Sequence, residues 1–595
     1  MRDVTGSDVL KSVKAEVAAH VKPPIRRLGG AVRVLVNDCS AAIGAATRYE
    51  EPVGRQWQRV LGSGGGIPPC GEADGLRVLI AAGYGLSAAK LAMETTLAAA
   101  LLLRGAQPLV LSCDAALAAC EFNPFGSYQP DPGDLAPPLG PRGRMALCDR
   151  CRHDLADAFA PLGLAPSSLR AFRHADDRQR LQSLVDSWDV STYRSAEYRS
   201  IRVGEHAFSS MLRATLRGTL EDDDRTQQLF RRYLVSAMEY VDLIERLFEA
   251  ERPQRVVAVH GVYLVHGVLC EVARKHRIPV IVWGFPYRKG TVWLSHDDSY
   301  HRTLVSESAA AWEHRALSPT EAAQLDEYFD SKRGGGRDYV NYHPRPEEDR
   351  ARIVEALALD PDKPVVSLYT NVIWDAQIYY DFNVFDSMLE WLTRTIEYFA
   401  HRTDVQLVIR VHPAEVKGGM PTNQPLVPEI EARFPELPPN VRVVPPESDI
   451  SSYTLAEMSC ASLIYGTKMG LEIAVRGVPV IVAGETFNRG KGFTYDVESQ
   501  EHYRKLLDRI TSLPRNSPEM IERARRYAHY LFFRRMIDFP LVQVEEPQAS
   551  IGVRLGFATV ADLAPGADRA LDCVCDGIVH GTSFVIDDAL KPEAA

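Results

Sequence analysis

Short apolar runs alternate with helical segments in two parts of the chain, and this alternation predicts two sheets. The first part opens on RVLIAA at residues 77–82, which an Ala/Leu-rich helix over 87–104 separates from the next strand at 109–111. A second strand–helix–strand unit covers 255–283. Continuous apolar strands separated by helices are typical of parallel sheets that are covered on both faces.

The same alternation returns in the second half of the chain. Strands are predicted there at 364–370, 405–411, 441–444, 461–465 and 478–484. A polar, glycine-containing stretch over 318–350 precedes them, and we expect the interdomain linker in it. The predicted fold class is therefore α/β, with two Rossmann-like domains whose parallel sheets face a central cleft. The predicted parts are an N-terminal extension (1–74), a first Rossmann-like domain (75–335), a second Rossmann-like domain (350–515) and a crossover helix with a C-terminal tail (516–595).

Charge and composition exclude several classes of protein. The 595 residues carry a formal net charge of −10, which argues against a broad nucleic-acid-binding surface. No apolar run is long enough to cross a bilayer, and residues 1–30 lack the basic-then-apolar layout of a secretory signal. We expect a cytoplasmic protein without a nucleic-acid partner, and peripheral association with a membrane is compatible with the sequence.

Three polar clusters follow predicted strands of the second half, where open parallel sheets bind their ligands. They are Arg410, His412 and Glu415; Ser451 and Ser452; and Gly466, Thr467, Lys468 and Glu472. An imidazole can donate to a phosphate oxygen, a helix start can cradle a diphosphate, and a carboxylate one turn later can accept ribose hydroxyls. The alternatives are a packed histidine at a strand end and ordinary helix caps. The third cluster matches neither a Walker P-loop nor a GxGxxG fingerprint.

Two stretches carry a resemblance to a known family. RVHPAE (410–415) and DISSYTLAEMSCASLIYGTKMGLEIAVRGVPVIVAGE (449–485) resemble the capsule polysaccharide biosynthesis glycosyltransferases, GT-B enzymes that include Kdo transferases. The resemblance is specific over about 405–485 and only architectural elsewhere. It implies a nucleotide-sugar donor contacted by the His-Pro loop and by the Ser/Thr-rich helix start, and the donor-site residues it implies are His412, Ser451, Ser452, Gly466, Thr467 and Glu472. Where capsule enzymes often have a Ser-Thr pair before this helix, the chain has Gly466-Thr467-Lys468.

The first domain is expected to hold the acceptor and the catalytic base. His260 follows a buried strand, and His296 and Asp298 lie in a polar segment after the next strand. Each of the three is a candidate base for an acceptor hydroxyl, and Arg288 or Lys289 is a candidate cation for the leaving phosphate. The alternative for each is a structural residue in a plain loop.

The predicted function is transfer of a sugar from a nucleotide-activated donor to a glycan, lipid-linked or peptide acceptor in bacterial surface or secreted glycan biosynthesis. The acidic run 222–224 lies in a polar helical region away from any strand end, so we expect metal-independent catalysis without a catalytic cofactor. Two alternatives stay open. One is a nucleotide-sugar 2-epimerase of the same architecture, and the other is a non-catalytic nucleotide-sugar-binding subunit.

Four cysteines form a separate pattern. Cys113 and Cys120 flank the end of an early strand, and Cys148 and Cys151 form a CxxC pair after a Pro/Gly-rich loop expected over 123–143. A CxxC knuckle and two further thiolates are the ligands of a structural zinc ion, which would order that loop. The alternative is four unpaired thiols that are partly buried.

Overall fold

The computed structural model describes residues 51–62, 67, 75–83, 85–123, 141–334, 336–340, 342–343, 345–376, 381–417, 421–545 and 551–586. Most of the predicted N-terminal extension, most of the predicted loop and Tyr84 of the Gly83-Tyr84-Gly85 turn lie outside the described residues.

In the described part, strands β1 to β15 are Arg77–Ile80, Gln107–Ser112, Ser167–Ser168, Arg255–Val259, Val280–Gly284, Thr291–His296, Val365–Tyr369, Gln406–Arg410, Val441–Val444, Ala461–Ile464, Val480–Val482, Tyr495–Asp496, Ile537–Asp538, Val542–Gln543 and Arg554–Leu555. Helices α1 to α18 are Val53–Leu61, Ala88–Leu103, Pro141–Phe159, Asp177–Asp186, Val203–Thr215, Asp224–Glu251, Val268–Lys275, Tyr300–Ser306, Pro319–Gly334, Arg350–Ala356, Met388–Phe399, Ala414–Lys417, Leu426–Arg433, Ser452–Met458, Met469–Ala474, Gln500–Asp508, Pro518–His529 and Arg569–His580. None of the helices in these ranges is long and apolar enough to cross a membrane.

The first sheet has the strand order β13-β6-β5-β4-β1-β2-β3. Strands β1 to β5 are parallel to one another, whereas β6 runs antiparallel to β5, and β13 runs antiparallel to β6. Its side chains alternate between two apolar cores, because Leu79 packs on one face while Val78 and Ile80 pack on the other. The sheet is therefore covered on both faces, as its continuous apolar strands predict.

The second sheet has the order β12-β11-β10-β7-β8-β9, and all of its strands are parallel. Every residue of β7, β8, β10 and β11 is buried. In the register, Tyr369 at the carboxyl end of β7 lies between Arg410 of β8 and Ile464 of β10. Two largely parallel sheets with helices on their faces confirm the predicted α/β fold class.

Two segments outside the predicted linker (318–350) also connect the two sheets. After α17 the chain forms a π-helical turn and then strand β13, which pairs with β6 of the first sheet. Helix α5 belongs in sequence to the first half, yet its Leu212 packs into the core of the second sheet. The carbonyl of Leu216 just after α5 accepts the Asn423 N–H over 2.9 Å. These contacts hold the carboxyl edges of the two sheets together.

Candidate functional site

The carboxyl ends of the two sheets meet at a set of hydrogen bonds between their loops. Tyr263, after β4, donates to Asp375 Oδ1 after β7 over 2.9 Å, and the Ala376 N–H donates to the Tyr263 hydroxyl over 2.9 Å. Arg213 at the end of α5 donates to the same Asp375 oxygen, also over 2.9 Å. The loop that carries His260 therefore contacts the loop after β7 of the second sheet.

The chain after β4 has an unusual backbone. His260 and Tyr263 both have positive φ angles, of 58° and 68°, and Tyr263 begins a π-helical turn that ends at Gly267. Left-handed backbone is unfavourable for residues with a Cβ and is concentrated at functional sites, as π-helical turns are. Gly83 allows the close packing of this turn, because a Cβ there would lie 2.5 Å from Val265 Cγ1. The sequence prediction that His260 lies at a crevice position fits this geometry.

His260 is held as a neutral ring. Its Nδ1 shares a hydrogen bond of 2.6 Å with the Tyr300 hydroxyl. Burial lowers the pKa of His260 well below its usual range, and the positive charges of Lys90 and Arg213 lower it further. A neutral imidazole can accept a proton, so His260 has the protonation state that a general base requires.

His296 and Asp298 do not join His260. Because β6 is antiparallel to β5, His296 lies opposite Ile281 near the amino end of β5, at the edge of the sheet away from His260. Its Nε2 is 2.7 Å from the Thr582 carbonyl, and Asp298 accepts from the N–H of the following residue. The sequence predicted all three candidates at one edge, since it gave no sign that β6 reverses direction.

The two candidate cations of the first domain are also placed differently from each other. Arg288 donates to the carbonyls of Phe532 and Met536 over 2.8 and 2.9 Å and pairs with Asp538, so it fixes the segment that leads into β13. Lys289 is exposed. The partners of Arg288 are thus groups that stabilise the fold around β13.

His412 follows β8 and is fixed in one tautomer. Its backbone N–H donates to Thr370 Oγ1 (3.0 Å), and its ring Nδ1 accepts from the Ala414 N–H (3.1 Å). Burial, with smaller contributions from Lys468 and Arg410, lowers the pKa of His412 to about 4, so the ring is neutral at pH 7. Because Nδ1 accepts, the single ring proton lies on Nε2, which can donate to a phosphate or sugar oxygen.

Lys468 and Glu472 lie in a cluster of buried opposite charges. Lys332 Nζ is 2.9 Å from Glu472 and 2.8 Å from Asp338, and Lys468 Nζ is 2.5 Å from Asp338. Tyr453 donates to the second Glu472 oxygen over 2.8 Å. Glu472 is fully buried, and its carboxylate is bound by Lys332 and Tyr453, so its role as a ribose ligand stays a prediction. Lys468 is the most exposed of the four charged side chains, at 26%.

Arg410 and Glu415 point into the protein. Arg410 is 2% exposed and donates to the carbonyls of Pro445 and Ser448 over 2.6 and 2.8 Å. Glu415 is 1% exposed and accepts from the Leu426 N–H over 3.1 Å. Both side chains therefore order the loops around His412, and neither presents its charge to the cleft.

The remaining predicted donor residues lie at two helix starts. Ser451 is buried and caps α14, while Ser452 is half-buried. Gly466 exchanges two hydrogen bonds with Asn371, which brings the loops after β7 and β10 together. Thr467 is buried, and its hydroxyl accepts an N–H two residues later over 3.4 Å. Helix α15 is only six residues long, so its dipole is weaker than that of a long helix.

The four cysteines are free thiols in one neighbourhood. Cys148 and Cys151 lie one turn apart on α3 and not on a loop knuckle, because this helix begins inside the stretch 123–143 predicted as a loop. Burial raises the pKa of Cys113 to about 11, and the nearby charges of Cys151 and Cys148 add to the shift; Cys113 likewise adds to the raised pKa of Cys120. Across the described ranges, no group of three or more His, Cys, Asp and Glu side chains is placed to hold a metal ion. The structural zinc ion with these four cysteines as ligands stays a prediction.

Sequence reasoning missed several residues of the cleft. Lys90 lies in the first turn of α2, where burial lowers its pKa to about 8. Asp375 joins the two sheets, and Tyr342 packs edge-on against the His412 ring at 5.4 Å. Lys90 and Glu94 in the Ala/Leu-rich helix α2 were the available signal. Asp375 and Tyr342 lie in polar loops, where nothing in the sequence distinguishes them.

The solved structures similar to this chain include carbohydrate enzymes. The KpsC beta Kdo 2,4 transferase of Thermosulfurimonas dismutans is 16% identical over 46% of this chain and 80% of that chain, with a TM-score of 0.30. The S. aureus MnaA-UDP structure is 11% identical over 85% and 96%, with a TM-score of 0.27. A UDP-GlcNAc 2-epimerase from Neisseria meningitidis is 11% identical over 76% and 97%, with a TM-score of 0.23. No protein-family model and no curated protein matches the sequence.

Proposed function

We propose that the protein is a glycosyltransferase that moves a sugar from a nucleotide-activated donor to a glycan, lipid-linked or peptide acceptor. One observation carries the proposal: two neutral histidines follow strands of different sheets at the edge where the sheets meet. His260 is a candidate base on the acceptor side, and the Nε2–H of His412 is a candidate donor to the leaving phosphate. We infer that Lys468 contributes positive charge beside His412.

In the proposed reaction, His260 takes the proton of the acceptor hydroxyl while the bond between the donor sugar and its phosphate breaks. The new glycosidic bond uses the electron pair of that hydroxyl, and the nucleotide leaves with the former bonding pair. His412 and Lys468 stabilise the charge that develops on the leaving phosphate. Transfer itself then needs no metal ion.

Incubation with a panel of UDP-, GDP- and CMP-sugars, with and without an extract of cell-envelope glycans, tests the proposal. Acceptor-dependent release of one nucleotide is expected, and His412→Ala should slow it about 10²-fold or more, as loss of one oxyanion donor does. The exposed His401 offers a matched control as His401→Ala. Conversion of UDP-GlcNAc without an acceptor would instead identify an epimerase, and binding without turnover would identify a non-catalytic subunit.

A further inference from the structure

His343, in the segment between the two sheets, lies between two basic side chains. Its Nε2 is 2.9 Å from Arg410 Nη2, and its Nδ1 is 2.9 Å from Lys417 Nζ. Guanidinium and ammonium groups only donate hydrogen bonds, whereas a neutral imidazole has one acceptor nitrogen and one N–H. At most one of these two contacts is therefore a hydrogen bond.

The position of Arg410 determines which ring nitrogen of His343 accepts a hydrogen bond. Its guanidinium is buried and also donates to the carbonyls of Pro445 and Ser448, so it is fixed in place. Nε2 of His343 therefore accepts from Arg410, and the ring proton lies on Nδ1. That Nδ1–H then faces the Lys417 ammonium, which is held nearby by the Tyr342 carbonyl at 3.0 Å. Two donors thus face each other with no acceptor between them.

The positive charge of this group has no ion-pair partner within the described ranges of the chain. Among the residues that the structure describes, neither Arg410 nor Lys417 lies within ion-pair distance of a carboxylate. Asp449 acts on both His343 and Arg410, and Glu447 acts on Arg410, only at longer range. Burial, followed by the charges of Arg410 and Lys417, lowers the pKa of His343 to about 4. Lys417 is exposed and His343 is half-buried, so a ligand in solvent can reach both.

We propose that His343 Nδ1–H and Lys417 Nζ together bind an oxygen of a phosphate, while Arg410 fixes His343 from behind. An oxygen that accepts from both groups removes the contact between two donors and supplies the missing negative charge. The site lies beside His412, because Tyr342 packs against the His412 ring. The inference rests on the proposed function, in which this phosphate belongs to the nucleotide donor. Free inorganic pyrophosphate has the same chemistry and is the other source.

Titration of the full chain with inorganic pyrophosphate, and separately with CMP, CDP, UDP and GDP, tests the site. In protein labelled with ¹⁵N-histidine, His343→Gln identifies the resonances of His343 among the sixteen histidines. A bound anion should raise the pKa of His343, because a nearby negative charge favours the protonated ring. Lys417→Met should weaken pyrophosphate binding about tenfold or more, the value of a charge-assisted hydrogen bond.

Lys363→Met is the matched control, since Lys363 is also exposed but precedes β7 at the opposite edge of the second sheet. Its pyrophosphate affinity should stay within about twofold of the wild type, as for most surface changes. An unchanged His343 pKa together with unchanged affinity in Lys417→Met would overturn the anion site. A nucleotide that binds without affecting His343 overturns the site and leaves the proposed function standing. Pyrophosphate that shifts His343 while no nucleotide binds supports the site and contradicts the proposed function.

Discussion

The Tyr263 hydroxyl donates a hydrogen bond of 2.9 Å to Asp375, and the bond joins the loop after β4 to the loop after β7. Arg213 donates to the same carboxylate oxygen. Asp375 is 56% exposed, so water can replace either partner at moderate cost. The Tyr263–Asp375 bond is thus one of several hydrogen bonds that link the loops of the two sheets, together with those of Ala376 and Arg213.

Tyr263→Phe and Asp375→Ala should each lower the free energy of unfolding by about 1–2 kcal/mol, because Tyr263 also accepts from Ala376 and Asp375 also accepts from Arg213. The two losses should not add, because both variants remove the same bond; a coupling energy of about 0.5 kcal/mol or more is expected. Urea denaturation of both variants and of the double variant measures it. Full additivity would show that the two side chains do not interact in solution.

The buried charge cluster predicts a large effect for a single substitution. Lys332→Met should lower the free energy of unfolding by about 3–5 kcal/mol, because it leaves Glu472 charged and buried beside a weaker partner. Lys505→Met is the control, since Lys505 is exposed and pairs with the exposed Glu501. It should cost less than about 0.5 kcal/mol. Equal effects of the two substitutions in urea denaturation would argue against a buried ion cluster.

Glu415 predicts a particular pH dependence of stability. Burial raises its pKa from 4.5 to about 7 in the folded protein, so its stabilising contribution is complete below pH 4.5 and is lost as the pH rises through 7. Between these values the wild type should lose up to about 3 kcal/mol relative to Glu415→Gln, at about 1.4 kcal/mol per pKa unit. Denaturation at pH 4.5, 6 and 8 measures the difference. The exposed Glu431, as Glu431→Gln, should change stability equally at all three values.

The cysteine spacing predicts a structural zinc ion. We expect protein purified without a metal-affinity tag to contain stoichiometric zinc, and its removal to destabilise the first domain before nucleotide binding is lost. Elemental analysis and thiol titration check this. Less than about a tenth of an equivalent of zinc or iron, with the thiols of Cys113, Cys120, Cys148 and Cys151 titrating freely, would contradict it; a closed four-thiolate site shields its ligands.

The sequence predicted the elements whose formation is governed by local pattern. The apolar runs around Val257, Leu368 and Val408 form buried parallel strands, because a continuous run of β-branched and aliphatic residues suits a sheet covered on both faces. The ends of these strands were also predictable, because each strand ends where its apolar run ends. His260 and His412 are therefore found where loops meet helix starts.

The features that the sequence could not predict depend on contacts between residues that are far apart in the chain. Glu472 has the spacing of a ribose ligand, but Lys332 occupies its carboxylate, and Lys468 pairs with Asp338 from 130 residues away. The sequence predicted His296 in a polar segment after a strand, but residues 291–296 form β6, which runs antiparallel to β5 and carries His296 to the other edge of the sheet. Neither pairing leaves a local signal in the sequence.

Binding of a nucleotide in the cleft tests the central claim most directly. In a thermal-shift screen of the wild type against CMP, CDP, UDP and GDP, one nucleotide should raise the apparent melting temperature, because ligand at about 100 times its Kd adds about 2.7 kcal/mol of stability. The same nucleotide should give a clearly smaller shift in His412→Ala and an unchanged shift in His401→Ala. No shift with any of the four nucleotides, or an equal shift in His412→Ala, would contradict the donor site proposed at His412.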